Sequence, residues 1–149
     1  MFAIHHFDNC RAAASFGDNI PETVYENLIK TVKSNLAPFF KYMDFRKQTL
    51  ALSELHFYDT YVPIVSDVTF VYKYATGVSA AIALADKVVN EGQSARDAYL
   101  NFLMLGGSKF PLDGLVDAGV DMRSPEPIKR AIKYFSDLVD RLMDACQEL

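Results

Sequence analysis

Three histidines, two cysteines and a cluster of tyrosines are the side chains of this 149-residue chain whose types could support catalysis. Zinc hydrolysis would need two imidazoles one helical turn apart, a third ligand, and a glutamate to activate the metal-bound water. No His-Glu-x-x-His occurs anywhere in the chain. His5 and His6 are neighbours, so on a helix they point about 100° apart and do not meet one ion in the usual way. His56 stands alone in a turn region. A composite site of His5, His6 and His56 is conceivable, but the expectation is that all three are solvated or core-edge side chains and that the chain binds no metal of its own. Cys10 and Cys146 sit near opposite ends in neither metal nor redox spacing, as unpaired thiols of a cytoplasmic protein would. His6 lies four residues before Cys10 and would share its helix face, yet no nucleophile elbow or acid partner completes a triad.

Two further groups of residues could bind a substrate. Tyr72 and Tyr74 stand near a helix start, and a phenol can donate a hydrogen bond. The competing reading is that they are helix-packing aromatics at spacing two, one of them buried. Gly106-Gly107-Ser108-Lys109 suggests a phosphate loop, but it lacks the Walker spacing and follows a helix instead of a strand. A helix end explains it better.

The elements that must position these groups are helical nearly throughout. Pro21 and Glu22 open a helix in which Val24, Leu28, Val32 and Leu36 recur every four residues, widened by Tyr25 and Ile29. Pro38 should break that pattern near Ala37 before it resumes from Phe39 to about Leu52. A second stretch runs from about Ser66 to Asn90, closed by Gly92, and its middle is dense in small residues that let a neighbouring helix come close. Ser94 is the expected cap of a third helix, with Asp97 in a variant of the capping box, and Gly106-Gly107 stops it. Pro111 to Ala118 forms a short helix ended by Gly119. Ser124 and Pro125 start the last, carrying Ile128, Ile132, Phe135, Leu138, Val139, Leu142 and Cys146 at helical spacing. No segment alternates with period two, so the fold class is all-α, a single-domain bundle of about five to six helices.

Half the residues are apolar and the formal charge is −4. That composition folds, and it gives no electrostatic reason to expect nucleic acid or an anionic membrane as partner. No apolar run reaches the roughly 18 residues of a membrane span, and the start lacks the form of a signal peptide.

Long runs of this chain resemble one family. They are Tyr72-Lys73-Tyr74-Ala75-Thr76-Gly77-Val78-Ser79-Ala80-Ala81, Gly106-Gly107-Ser108-Lys109-Phe110-Pro111, Ala118-Gly119-Val120-Asp121-Met122 and Pro125-Glu126-Pro127-Ile128. Together they are similar to the C-terminal end of the oligoendopeptidase F family of zinc metallopeptidases. Residues 7–65, through Asp18-Asn19-Ile20-Pro21 and Leu55-His56-Phe57-Tyr58-Asp59-Thr60-Tyr61-Val62-Pro63, resemble the block upstream of that family's zinc site. Residues 69–149 resemble its terminal block. In the family the stretch between the two blocks carries the zinc ligands; here Val65 meets Val68 across Ser66-Asp67. The resemblance implies a helical catalytic domain whose tyrosines, matched by Tyr72 and Tyr74, bind substrate. It also implies that the loop Gly106, Gly107 and Ser108 borders the substrate groove. With the zinc stretch missing, the expectation is an internally deleted relative that does not hydrolyse peptides alone. It would act as a self-associating module, as a dimer, or bind short peptides. The alternative is a working metalloendopeptidase whose zinc ligands come from a partner chain or an atypical site.

Overall fold

The computed structural model describes residues 7–56 and 68–147, all of them helix, turn or loop. Seven helices are present among them: α1 Cys10–Ser15, α2 Glu22–Lys33, α3 Ala37–Thr49, α4 Val68–Asn90, α5 Gln93–Met104, α6 Pro111–Asp117 and α7 Glu126–Gln147. The all-α expectation holds, with one helix more than expected because the short α1 carries no apolar repeat to announce it.

Local chemistry sets the helix ends. The Asn9 side chain accepts from the Ala12 amide at 2.8 Å and caps α1. Pro21, at φ −61, leads into α2, whose first turn holds Glu22 and whose last holds Lys30 and Lys33, both signs matching the helix dipole. Pro38 causes a full break: α2 ends at Lys33, and the proline becomes part of the first turn of α3. The start of α5 differs from expectation. Gly92 at φ 80 occupies the cap position, no side chain caps the helix, and Ser94 lies inside it. At the other boundary the Ser124 hydroxyl accepts from the Glu126 amide at 3.2 Å and opens α7.

Helix α7 is the hub, packing on α4, α3 and α2, while α5 lies against α4 and α6 against α5. Its buried face, Ile128, Ile132 and Val139, follows helical spacing. Val24 and Leu28 of α2, Tyr72, Ala80, Ala83 and Leu84 of α4, and the turn residues Val120 and Met122 complete the core. Fully burying an aliphatic side chain of this size stabilises by about 1.5–3 kcal/mol, so this cluster is the main source of cohesion. Ring contacts extend it, Phe39 stacked on Phe135 at 4.9 Å and Tyr25 tilted against Tyr72 at 5.4 Å. The stripe expected on α2 is narrower than its spacing suggested, because Ile29 is 39% exposed. The last helix diverges likewise: Leu138, Leu142 and Cys146 face solvent. Gly119 adopts φ 82 with the Lys87 chain lying across it. No described helix is long and apolar enough to cross a membrane.

Candidate functional site

Helix α4 is 23 residues long, and between Tyr74 and Ala85 it carries no ionised side chain. Its two polar groups there fold back on the helix itself: the Thr76 hydroxyl donates to the Tyr72 carbonyl at 2.9 Å, and Ser79 to the Ala75 carbonyl at 2.8 Å. The helix is therefore apolar around its whole girth, a composition that belongs in an interior. Only one side reaches the core. Ser79, Ala80, Ala83 and Leu84 are buried, whereas Tyr74, Gly77, Val78, Ala81, Ala85 and Val89 are exposed.

Beside that exposed side runs an open groove of about 560 Å3 between α4 and α5. Small residues of α4 (Gly77, Ala81, Ala85) form one wall, and Tyr99, Phe102 and Leu103 of α5 form the other. The two helices are antiparallel, joined at Glu91-Gly92, so Gly77 and Leu103 both lie at the end remote from that link. Tyr74 precedes Gly77 by about one turn of α4, and the loop starting at Gly106 follows Leu103 by three residues.

The two tyrosines take different places. Tyr72 is 8% exposed with its ring tilted against that of Tyr25, and burial raises its phenol above the ordinary tyrosine range. Tyr74, two residues on and about 200° around the helix, is 62% exposed. Of the pair, Tyr74 is the exposed one. Gly106, Gly107 and Ser108 are all exposed, and the Ser108 hydroxyl donates to the Leu105 carbonyl at 2.7 Å. Its proton is thus engaged, which leaves the oxygen as an acceptor. Next to it, Lys109 donates to Asp117 at 2.6 Å, and that hydrogen bond raises the ammonium pKa.

His5 and His6 lie outside the described residues. His56 is exposed, with Glu54 at 3.7 Å. Cys10 and Cys146 are free and exposed, and Cys146 lies near the end of α7, in another helix from Cys10. Among the described residues no three His, Cys, Asp or Glu side chains come together to hold a metal ion. Of the groove walls, Ala81, Ala85, Phe102 and Leu103 read from sequence as packing positions and not as a site, and Tyr99 was not singled out. Their signal was present in the Tyr99, Phe102, Leu103 spacing on one face of α5, opposite the small residues of α4.

Comparison with known proteins follows the same helices. The model of "Peptidase family M3" matches residues 69–134, from the start of α4 into α7. Oligopeptidase PepF of Bacillus subtilis is 47% identical over 87 residues, 58% of this chain and 12% of that protein. The group B oligopeptidase PepB of Streptococcus agalactiae is 39% identical over 82 residues, 55% of this chain and 12% of its own length. An oligoendopeptidase F homolog of Borreliella burgdorferi is 32% identical over 116 residues, 78% of this chain and 18% of that protein. The chain thus spans under a fifth of the length of these relatives. No solved structure matches it significantly. Through the helices from α4 to α7 that build the groove, the chain belongs to the oligoendopeptidase F members of peptidase family M3.

Proposed function

We propose that this chain is an internally shortened oligoendopeptidase F relative that binds short peptides in the α4–α5 groove and does not cleave them by itself. The observation that carries the reading is the groove: an apolar trough of about 560 Å3 lies between α4 and α5, with Gly77, Ala81 and Leu103 in its walls. Concave, mostly apolar walls are the usual make-up of a small-ligand site. Peptide side chains lie along Ala81, Ala85 and Leu103, while Tyr74 offers a phenol and Ser108 an acceptor to peptide carbonyl and amide groups. Hydrolysis is left out because the three histidines of the chain include no pair one helical turn apart. The module works in the cytoplasm, where two exposed thiols stay reduced.

The test is a fluorescence-anisotropy titration of a labelled apolar octapeptide. Leu103→Glu introduces a charge at a position that is 57% exposed, so the fold tolerates it while the groove does not. Binding by the wild-type chain, weakened at least about tenfold in this variant with its helicity unchanged, is the expected result, since burying an unpaired charge costs more than the 1.4 kcal/mol a tenfold change represents. Equal affinities for the two proteins would remove the groove from the account.

A further inference from the structure

The α5 wall of the groove has a support of its own on α6. The Phe102 ring lines the groove and packs against the core, and it also meets Gly114, a buried residue of α6. A Cβ added at Gly114 would lie 3.3 Å from Cδ2 and Cε2 of that ring and 3.0 Å from the Leu105 Cδ1. Close-packed side chains do not keep contacts that short, so the ring and Leu105 would have to move. Nothing in the backbone demands glycine here: Gly114 lies inside α6 and is not among the left-handed glycines Gly92, Gly106 and Gly119. Alanine is the better helix former, so what glycine supplies at this position is room for the ring. Gly77 on the facing wall differs, since a Cβ there meets nothing within 4 Å.

We infer that Gly114 is a positioning residue of the groove: by leaving Phe102 room against α6, it keeps the trough wide enough for a bulky apolar side chain of a bound peptide. The inference rests on the peptide-binding reading of the same groove. Helix α6 is not free to retreat from an added methyl group, because Leu112 within it and Ala118 and Val120 just beyond it are buried in the core. Leu115, the residue after Gly114, also lines the groove, so a shift of α6 itself would alter the floor of the same trough. Either way the added volume is felt in the groove, since a close-packed interior passes strain on to its neighbours.

Anisotropy titrations with two labelled apolar octapeptides, one with a central phenylalanine and one with alanine in its place, test it. The ratio of their affinities is read within each variant, so a change in the folded fraction cancels. Gly114→Ala should weaken the phenylalanine peptide at least about fivefold relative to the alanine peptide, the effect of seating a ring back against one added methyl group. Gly114→Val should lower the ratio further. Adding Gly114→Ala to Phe102→Leu should change the ratio little, because the ring that transmits the effect is gone. A wild-type ratio retained in both Gly114 variants overturns the inference and leaves peptide binding standing. An equal loss in the Phe102→Leu background also overturns it, since the effect would then not pass through the ring. A wild-type chain that binds neither peptide overturns this inference together with the reading of the groove.

Discussion

Tyr72 lies against Tyr25 in the core, and its burial has a consequence at alkaline pH. Its folded pKa is raised, so the neutral phenol persists in the fold where an unfolded tyrosine has already ionised. The stability is fully present below the unfolded tyrosine pKa and is lost as pH rises through the folded one. Tyr72→Phe should therefore shift the alkaline unfolding midpoint upward when helical dichroism is followed against pH. An unchanged midpoint would mean that other groups govern alkaline loss. The other residue-level stress is at Gly119, where φ is 82 and an added Cβ would lie 2.8 Å from the Lys87 Cε. Gly119→Ala should lower stability by about 1–2 kcal/mol in urea denaturation, through backbone strain with a smaller part from displacing the lysine. Sequence named both tyrosines as candidates but could not divide their roles. Which one faces the core depends on the rotation of α4, and that is set by α7 and α2. Gly119 was legible as a helix stop, since a helix that ends with a left-handed residue favours glycine there.

At the scale of elements, α1 depends on its neighbour. Six residues make an unstable helix alone, and α1 is held to α2 by Glu22, which accepts from Asn9 at 3.0 Å and from the Arg11 Nε at 2.8 Å. Arg11 in turn lies over the Tyr25 ring at 5.0 Å. The hydrogen bond from Asn9, then that from Arg11, lowers the Glu22 pKa. Because the folded value is depressed, the link is present above the ordinary glutamate pKa and is lost as pH falls through the folded one. The protection factors of the Ala12 and Ala13 amides, exchange rates corrected for the intrinsic rate at each pH, should fall in acid in the wild-type chain. In Glu22→Gln they should be low already at neutral pH. High, pH-independent protection factors in both would separate α1 from this cluster. The longer helices were legible because each carries a cap, a proline or a glycine beside an apolar repeat: Pro21 before α2, Pro38 in α3, Ser124 before α7. Helix α1 was not, since Cys10-Arg11-Ala12-Ala13-Ala14-Ser15 has no stripe and its anchor is a tertiary ion pair. The α5 boundary slipped because Gly92 took the cap position and left Ser94 within the helix.

For the whole molecule, α7 gathers α2, α3 and α4 on one side, and α5 with α6 completes the other. That arrangement leaves α4, apolar all round, half covered. The family was legible from long runs of residue identities, and the all-α class from periodicity. The peptide groove was not, because its walls come from two helices whose facing residues no local pattern pairs. Surface ion pairs such as Lys73 with Asp18 at 3.2 Å add little to cohesion. The central claim is that the chain binds peptides without cutting them. A quenched fluorescent octapeptide, with zinc added and then chelator, tests it most directly, polarisation reporting binding and dequenching reporting cleavage. The account predicts a rise in polarisation and no dequenching in either condition. Dequenching that chelator abolishes would contradict it and direct attention to His5, His6 and His56 as ligands.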